Sequence, residues 1–174
     1  MPASTSIKQR TGPSGSSTDT TITNQRMCLA DAVNDGSAHP VAAANTGTVY
    51  SFVQSTALWA DTAPTTGINN VRYYTAGTNP WTGVTLQVAS SATYTQATGT
   101  TTTGTQLTTT NFTGSTSPVD GFSLTSAAPL AIGGSVAAVA GKVSNFVEAQ
   151  VTVASNASQG QLAATTAYWL YDES

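Results

Sequence analysis

The sequence has few charged side chains: Asp, Glu, Lys and Arg make up 7% of its 174 residues, whereas a typical soluble domain holds about a quarter. Disordered proteins are usually rich in charge, so this scarcity argues against disorder. Lys, Glu and Arg are also good helix formers, and their scarcity argues against a helical fold. Threonine, in contrast, supplies roughly a fifth of the chain. Because threonine is β-branched and suits a pleated strand, the composition predicts an all-β protein.

Basic residues are few and spread along the chain, and the net charge is −3. They are Lys8, Arg10, Arg26, Arg72 and Lys142. Nucleic-acid binding needs clustered Lys and Arg to neutralise phosphates, so we expect no nucleic-acid partner. Lys8 and Arg10 lie close together in the sequence and can contact an acidic neighbour. The alternative for this pair is simple solvation.

Long apolar runs and cysteine pairs are also missing. No run approaches the ~20 residues of a membrane-spanning helix, so no membrane partner is expected. The first residues, "MPASTSIKQRTGPSGSS", lack the apolar core of a signal peptide, and we expect synthesis in the cytoplasm without export by that route. Cys28 is the one cysteine, which excludes an internal disulfide. Stability must therefore come from packing or assembly.

Histidine is nearly absent, which limits the catalytic chemistry. His39 is the one histidine, and a Ser–His–Asp arrangement would have to use it together with Asp31 or Asp35. No Gly-x-Ser-x-Gly motif accompanies it. We therefore predict no catalytic residues, and expect that the protein is not an enzyme.

The acidic residues do not have the spacing of a metal site. Asp172 and Glu173 can join Asp61 or Asp120 around a calcium ion, but no loop has the dense acidic spacing that calcium requires. The alternative is that these two acids are solvated and prevent a last strand from pairing edge to edge. We predict no metal and no cofactor.

Residues 1–22 are rich in Ser, Thr, Gly and Pro, and they predict an extended N-terminal arm. The remainder, residues 23–174, is expected to form a β-sandwich domain. One short helix is predicted at residues 24–36, where Asn24 can cap the start and Gly36 can end it.

Alternating apolar residues and turn signals predict about eight short strands in the remainder. The predicted strands lie near residues 48–55, 69–76, 84–90, 92–97, 106–112, 133–141, 145–155 and 162–173. Two hairpins are expected, one joining 69–76 to 84–90 and one joining 145–155 to 162–173. This pattern is typical of a single antiparallel β-sandwich or jelly-roll-like domain.

The aromatic residues are candidates for contact with a partner. Tyr73, Tyr74 and Trp81 can form a platform on which a sugar stacks, although such residues more often anchor a core or an interface. In the last predicted strand, Trp169 and Tyr171 are expected to hold the strand in the sandwich. The candidate interface or anchor residues are therefore Lys8, Arg10, Tyr73, Trp81, Trp169 and Tyr171.

Several segments together resemble one group of proteins. They are "NNVRYYTAGTNPWTGVTLQV", "SATYTQATGTTTTGTQLTT", "SPVDGFSLTSAAPL" and "FVEAQVTVASNASQGQLAATTAYWLYDES". The order of these segments resembles that of small β-rich structural proteins of tailed bacteriophages and prophages. It includes a turn at Ala157, Ser158 and Gly160 and a final aromatic strand that ends at Trp169–Glu173. The resemblance covers about residues 65–174. It concerns composition and order, and it includes no catalytic motif.

The resemblance implies a virion structural protein, most simply a capsid decoration or cement protein on the outer capsid surface. Such a protein binds the major capsid protein and copies of itself, and a homotrimer is expected. Abundant Thr, Asn and Gln suit the wet interfaces that this role requires. Two alternatives stay open: a carbohydrate- or receptor-binding module of a head or tail fibre, and a tail or connector component.

Overall fold

The computed structural model describes residues 2–43, 45–158 and 160–174, and it confirms the all-β prediction with two antiparallel sheets arranged as a sandwich. In chain order the strands are β1 (Thr5–Thr11), β2 (Thr18–Ile22), β3 (Thr48–Tyr50), β4 (Gln54–Ala60), β5 (Gly67–Thr75), β6 (Val84–Ser91), β7 (Val119–Asp120), β8 (Leu130–Ala131), β9 (Val136–Ala137), β10 (Gly141–Lys142), β11 (Phe146–Ala154) and β12 (Ala167–Glu173). A short 3-10 turn at Gly121–Ser123 follows β7.

The larger sheet, called sheet A here, has the order β2-β1-β4-β11-β6-β7, with β10 paired to β4 and β3 paired to β11. The smaller sheet, sheet B, has the order β12-β5-β8, with β9 also paired to β5. The main core lies between the sheets and includes Leu58, Val71, Val88 and Val147. The face of sheet A that points away from sheet B is called its outer face below.

Residues 5–22 form a β-hairpin of sheet A, where the sequence predicted an extended arm. β1 pairs with β2 on one side and with β4 on the other, from Thr5 opposite Ala60 to Arg10 opposite Ser55. Ile7 packs against the main core. The composition hid this strand because Thr and Ser suit a strand that is only half buried as well as they suit a solvated arm.

The predicted helix at residues 24–36 is not formed: residues 24–28 have no regular structure, residues 29–34 form bends, and residue 36 lies in a turn. The Leu29 backbone N–H donates to the His39 carbonyl at 2.8 Å, which is a contact across a loop and not along a helix. Asn34 has a left-handed φ of 56°, and this conformation also interrupts a helix. The segment brings Cys28 and Leu29 into buried positions beside the sandwich.

Neither of the two predicted hairpins is formed, although the four strands from which they were predicted are all present. β5 belongs to sheet B and β6 to sheet A, so residues 76–83 cross from one sheet to the other. β12 likewise pairs with β5, while β11 pairs with β3, β4 and β6. Alternation along the chain identifies a strand but carries no information on its partner, and this explains the error.

Residues 92–116 cross the outer face of sheet A, and we call them the cover. The strands predicted at 92–97 and 106–112 are replaced by bends, turns and an isolated bridge between Gly99 and Gly104. Threonine hydroxyls bond to nearby backbone, as where Thr100 Oγ1 accepts from the Thr103 N–H at 3.1 Å. Such local bonds favour turns over a sheet ladder. Phe112 of the cover is 1% exposed and belongs to a second apolar cluster on this face.

A bulge in β5 determines which of its side chains point into the core. Asn70 has a left-handed φ of 52°, and the register with β12 shifts at this point. Because one extra residue enters the strand, Ile68 and Val71 both point into the core despite their odd spacing. The same bulge places the Asn70 side chain within 2.6 Å of Asp172 Oδ2.

Candidate interaction surfaces

Three of the five basic residues come together on the outer face of sheet A, on the part that is formed by β1, β4 and β10. We call this group the cationic patch: Lys8, Arg10 and Lys142, with Trp59 and Phe146. Lys8 Nζ lies 4.4 Å from the centre of the Trp59 ring, and Arg10 Cζ and Lys142 Nζ lie 5.0 and 4.3 Å from the centre of the Phe146 ring. These distances are those of cation–π contacts.

Strand register explains why these residues meet. Lys8 and Arg10 are two positions apart on β1 and therefore share a face of sheet A. On the other side of β4, Lys142 of β10 lies opposite Trp59. The sequence pointed to Lys8 and Arg10, but Lys142 was missed because its place beside them depends on the pairing of β10 with β4.

The three cations are compensated to different degrees. Arg10 donates to both carboxylate oxygens of Asp19, at 2.8 and 2.5 Å, and this hydrogen bonding raises the pKa of Arg10. Lys8 lies 3.6 Å from Asp61. Lys142 has no carboxylate within 4 Å in residues 2–43, 45–158 and 160–174. Burial lowers the pKa of Lys142, and the neighbouring charge of Arg10 lowers it further.

A second surface is a groove of about 370 Å³ between the sheets, on the side of β2 and β12. Ile7, Leu58, Trp169 and Tyr171 are among its lining residues. Trp169 meets Tyr73 edge to face, with ring centres 5.6 Å apart, and the Tyr171 hydroxyl lies 3.3 Å from Thr5 Oγ1. Two of the aromatic residues singled out in the sequence, Trp169 and Tyr171, therefore share one groove.

The other aromatic residues are divided between the core and a separate patch. Tyr73 is 5% exposed and burial raises its pKa to about 12, so it is a core residue and not part of a platform with Tyr74 and Trp81. Trp81 packs edge to face on Phe122 at 5.0 Å. Tyr74 instead stacks on Tyr168, with ring centres 4.7 Å apart and an angle of 11° between the planes. Tyr168 is 43% exposed.

A buried acid lies under the cover. Glu148 of β11 is 0% exposed, and one of its carboxylate oxygens accepts a hydrogen bond from the Ser115 hydroxyl. The other oxygen, Oε1, is buried with no hydrogen-bond partner in the described part of the chain. Burial raises the pKa of Glu148 to about 7, although the bond from Ser115 opposes this shift. The alternation at 145–155 predicted a strand but gave no sign that the cover would bury this face.

The residues considered for catalysis or metal binding lie in separate places. His39 Nδ1 is 2.5 Å from Asp35 Oδ2 on an exposed loop. Asp172 contacts Arg72 and Asn70, while Glu173 Oε1 accepts from the Ala3 N–H at 2.7 Å. Over residues 2–43, 45–158 and 160–174, no three His, Cys, Asp or Glu side chains group as metal ligands would.

Among the helices of the described residues, none has the length and apolar character needed to cross a membrane. Comparison of the chain with protein-family models, with curated proteins and with solved structures found no significant match. The surfaces described above therefore rest on the geometry of this chain alone.

Proposed function

We propose that this chain is a virion structural protein of the capsid decoration or cement type, which binds the outer surface of a viral shell and copies of itself. The observation that carries the proposal is the pair of open edges beside the groove. β2 pairs with β1 and β12 with β5, and in the part of the chain that the structure describes neither edge strand has a second partner strand. Residues 167–170 of β12 carry no charge.

An edge of this kind favours assembly. Soluble proteins usually protect an edge strand with lysine, proline or a covering segment, since an open edge pairs readily with another chain. Here β12 adds Tyr168, Trp169 and Leu170 to its open edge, and the first charges along the strand itself are Asp172 and Glu173. Pairing along this edge with a copy of the chain satisfies the unpaired backbone groups and buries aromatic surface.

The composition of the surface supports the same role. Exposed threonines dominate the cover, where hydroxyl pairs such as Thr98 and Thr105 lie 3.0 Å apart. Hydroxyl groups make direct and water-mediated contacts without the desolvation cost of charges. Many copies on one shell add weak contacts into a strong attachment, and preferential binding to the mature shell stabilises that shell by mass action.

The direct test uses purified empty heads that lack the protein. Added protein is expected to sediment with the heads and to raise the temperature at which the empty shells disassemble. Image reconstruction should then place the added density on the outer surface. Failure to bind heads, or location of the protein in tails of purified particles, would contradict the proposal.

A second candidate function is carbohydrate binding, favoured by the stacked pair of Tyr74 and Tyr168. Aromatic faces next to hydrogen-bonding groups are suited to sugars, and Arg72 and Asp172 lie on the same strands, 3.3 Å apart. A glycan array with the wild-type protein and with Tyr168→Ala tests this function. Binding of a defined glycan that is lost in the variant would support carbohydrate binding. If the wild-type protein binds no glycan on the array, this function is rejected.

A further inference from the structure

Lys142 of the cationic patch carries a positive charge that no carboxylate in the described residues contacts directly. Lys142 is half-buried against Phe146, and within the described residues it has no carboxylate partner. Removing an ammonium group from water without a counter-charge costs stability. Burial and the charge of Arg10 lower the pKa of Lys142, and the more distant charge of Asp19 offsets them only in part.

A second group in the patch also lacks an acceptor. The Trp59 indole Nε1 is buried and has no hydrogen-bond partner in the described part of the chain. Lys142 lies opposite Trp59 in the sheet, and its ammonium lies 4.3 Å from the centre of the Phe146 ring. Both groups are hydrogen-bond donors. The Trp59 Nε1 is enclosed by the chain, whereas the half-buried ammonium of Lys142 can still be reached by a partner that supplies an acceptor with a negative charge.

The chain's own carboxylates are already engaged with other groups. Each of the eight acids accepts a hydrogen bond or pairs with a base inside the same molecule. They are Asp19, Asp31, Asp35, Asp61, Asp120, Glu148, Asp172 and Glu173. None of them lies within 4 Å of Lys142 in the free chain, so its counter-charge has to come from another molecule, which under the proposed function is the shell.

We propose that the cationic patch is the contact through which the protein binds its shell, and that Lys142 pairs there with a carboxylate of a different protein on the shell surface. This inference rests on the proposed function and specifies its partner chemistry. Protein carboxylates fit better than nucleic-acid phosphates. Asp19 and Asp61 already occupy Arg10 and Lys8, and a phosphate backbone needs several free cations in a row.

The test compares Lys142→Met with Arg26→Met. Methionine keeps the apolar stem of Lys142 over Phe146 but removes the charge, and each variant changes the net charge from −3 to −4. Arg26 is exposed and lies outside the patch, so its variant controls for net charge. Binding to empty heads is measured at several salt concentrations, and unfolding of the free protein is measured in parallel.

We expect Lys142→Met to weaken binding to heads ~10-fold or more, because a partner carboxylate then loses its counter-charge. The variant should also bind with a weaker salt dependence than the wild type, while its melting temperature stays equal or rises. Arg26→Met should bind within about twofold of the wild type. Lys142→Arg should restore most of the affinity.

The outcomes separate this inference from the proposed function. If the wild type binds heads and Lys142→Met binds them equally well, the inference is overturned and the decoration role stands. If Lys142→Met loses binding and also melts at a clearly lower temperature, the residue has a structural role and the inference is again overturned. If the wild type does not bind heads, the proposed function fails and this inference fails with it.

Discussion

The two halves of the outer face of sheet A carry charged and polar groups in different settings. In the half under the cover, Glu148 and Gln150 are fully buried; the Leu107 N–H donates to Gln150, and the Ser115 hydroxyl donates to one of the two Glu148 oxygens. In the open half, Lys142 is half-buried and the described chain supplies it no carboxylate. The chain closes the covered half itself, and we expect the open half to be the one that another molecule contacts.

The largest expected effect comes from removing the apolar contact that holds the cover. Phe112→Ala should lower the free energy of unfolding by about 3–5 kcal/mol, because it leaves a cavity against Val53 and Ala89. Urea unfolding measures the loss. Val139→Ala, at a residue 57% exposed, should change it by less than about 0.5 kcal/mol. Equal effects of the two variants would show that the cover does not pack as described.

The next largest effect is a dependence of stability on pH. Glu148 has a pKa raised to about 7 in the folded chain, well above the 4.5 of an ordinary glutamate. The folded state therefore favours the protonated form of Glu148. The contribution of this preference to the free energy of unfolding is complete below about pH 4.5 and is lost as the pH rises through about 7. The shift corresponds to about 3 kcal/mol. Urea unfolding from pH 4.5 to 8.5 measures it.

The residues that surround Glu148 in the sheet are mostly uncharged. Ser55 and Ala89 flank it on the neighbouring strands, and Ser115 covers it. Arg10 is the nearest charged residue in the same row, opposite Ser55 on β1. Glu148→Gln should flatten the pH dependence and unfold at higher urea than the wild type at pH 8. An unchanged pH profile in this variant would assign the effect to another group.

A smaller effect is expected in the open half. Lys142→Met should raise the free energy of unfolding of the isolated protein by less than about 1 kcal/mol, since it removes a partly desolvated charge that has no counter-charge. Thermal unfolding measures this change, with Lys8→Met as the matched variant. Lys8 pairs with Asp61, so its variant should gain nothing. A clear loss of stability in Lys142→Met would mean that its charge stabilises the free chain.

The sequence was informative about which residues form strands and much less about where those strands lie. The alternation at 84–90 and 145–155 predicted β6 and β11 closely, because a strand face repeats every two residues. The partner of each strand depends on contacts distant in sequence. Accordingly, β12 was expected beside β11 but pairs with β5.

Two of the wrong predictions, the N-terminal arm and the strands within the cover, have the same cause, which is the high threonine content. Threonine suits a strand, a turn or a solvated segment, so its abundance did not separate the β1 strand from an arm or the cover from strands. The candidate site was affected in the same way. Lys8 and Arg10 stood out in the sequence, but Lys142 joined them only through the short strand β10.

We propose that the open half of the outer face of sheet A contacts a viral shell. A cryo-electron microscopy reconstruction of heads with the bound protein tests it most directly. We predict that β1, β4 and β10 face the shell, with a shell carboxylate beside Lys142. A reconstruction in which the cationic patch points to solvent, or in which the protein is absent from the head, would contradict the claim.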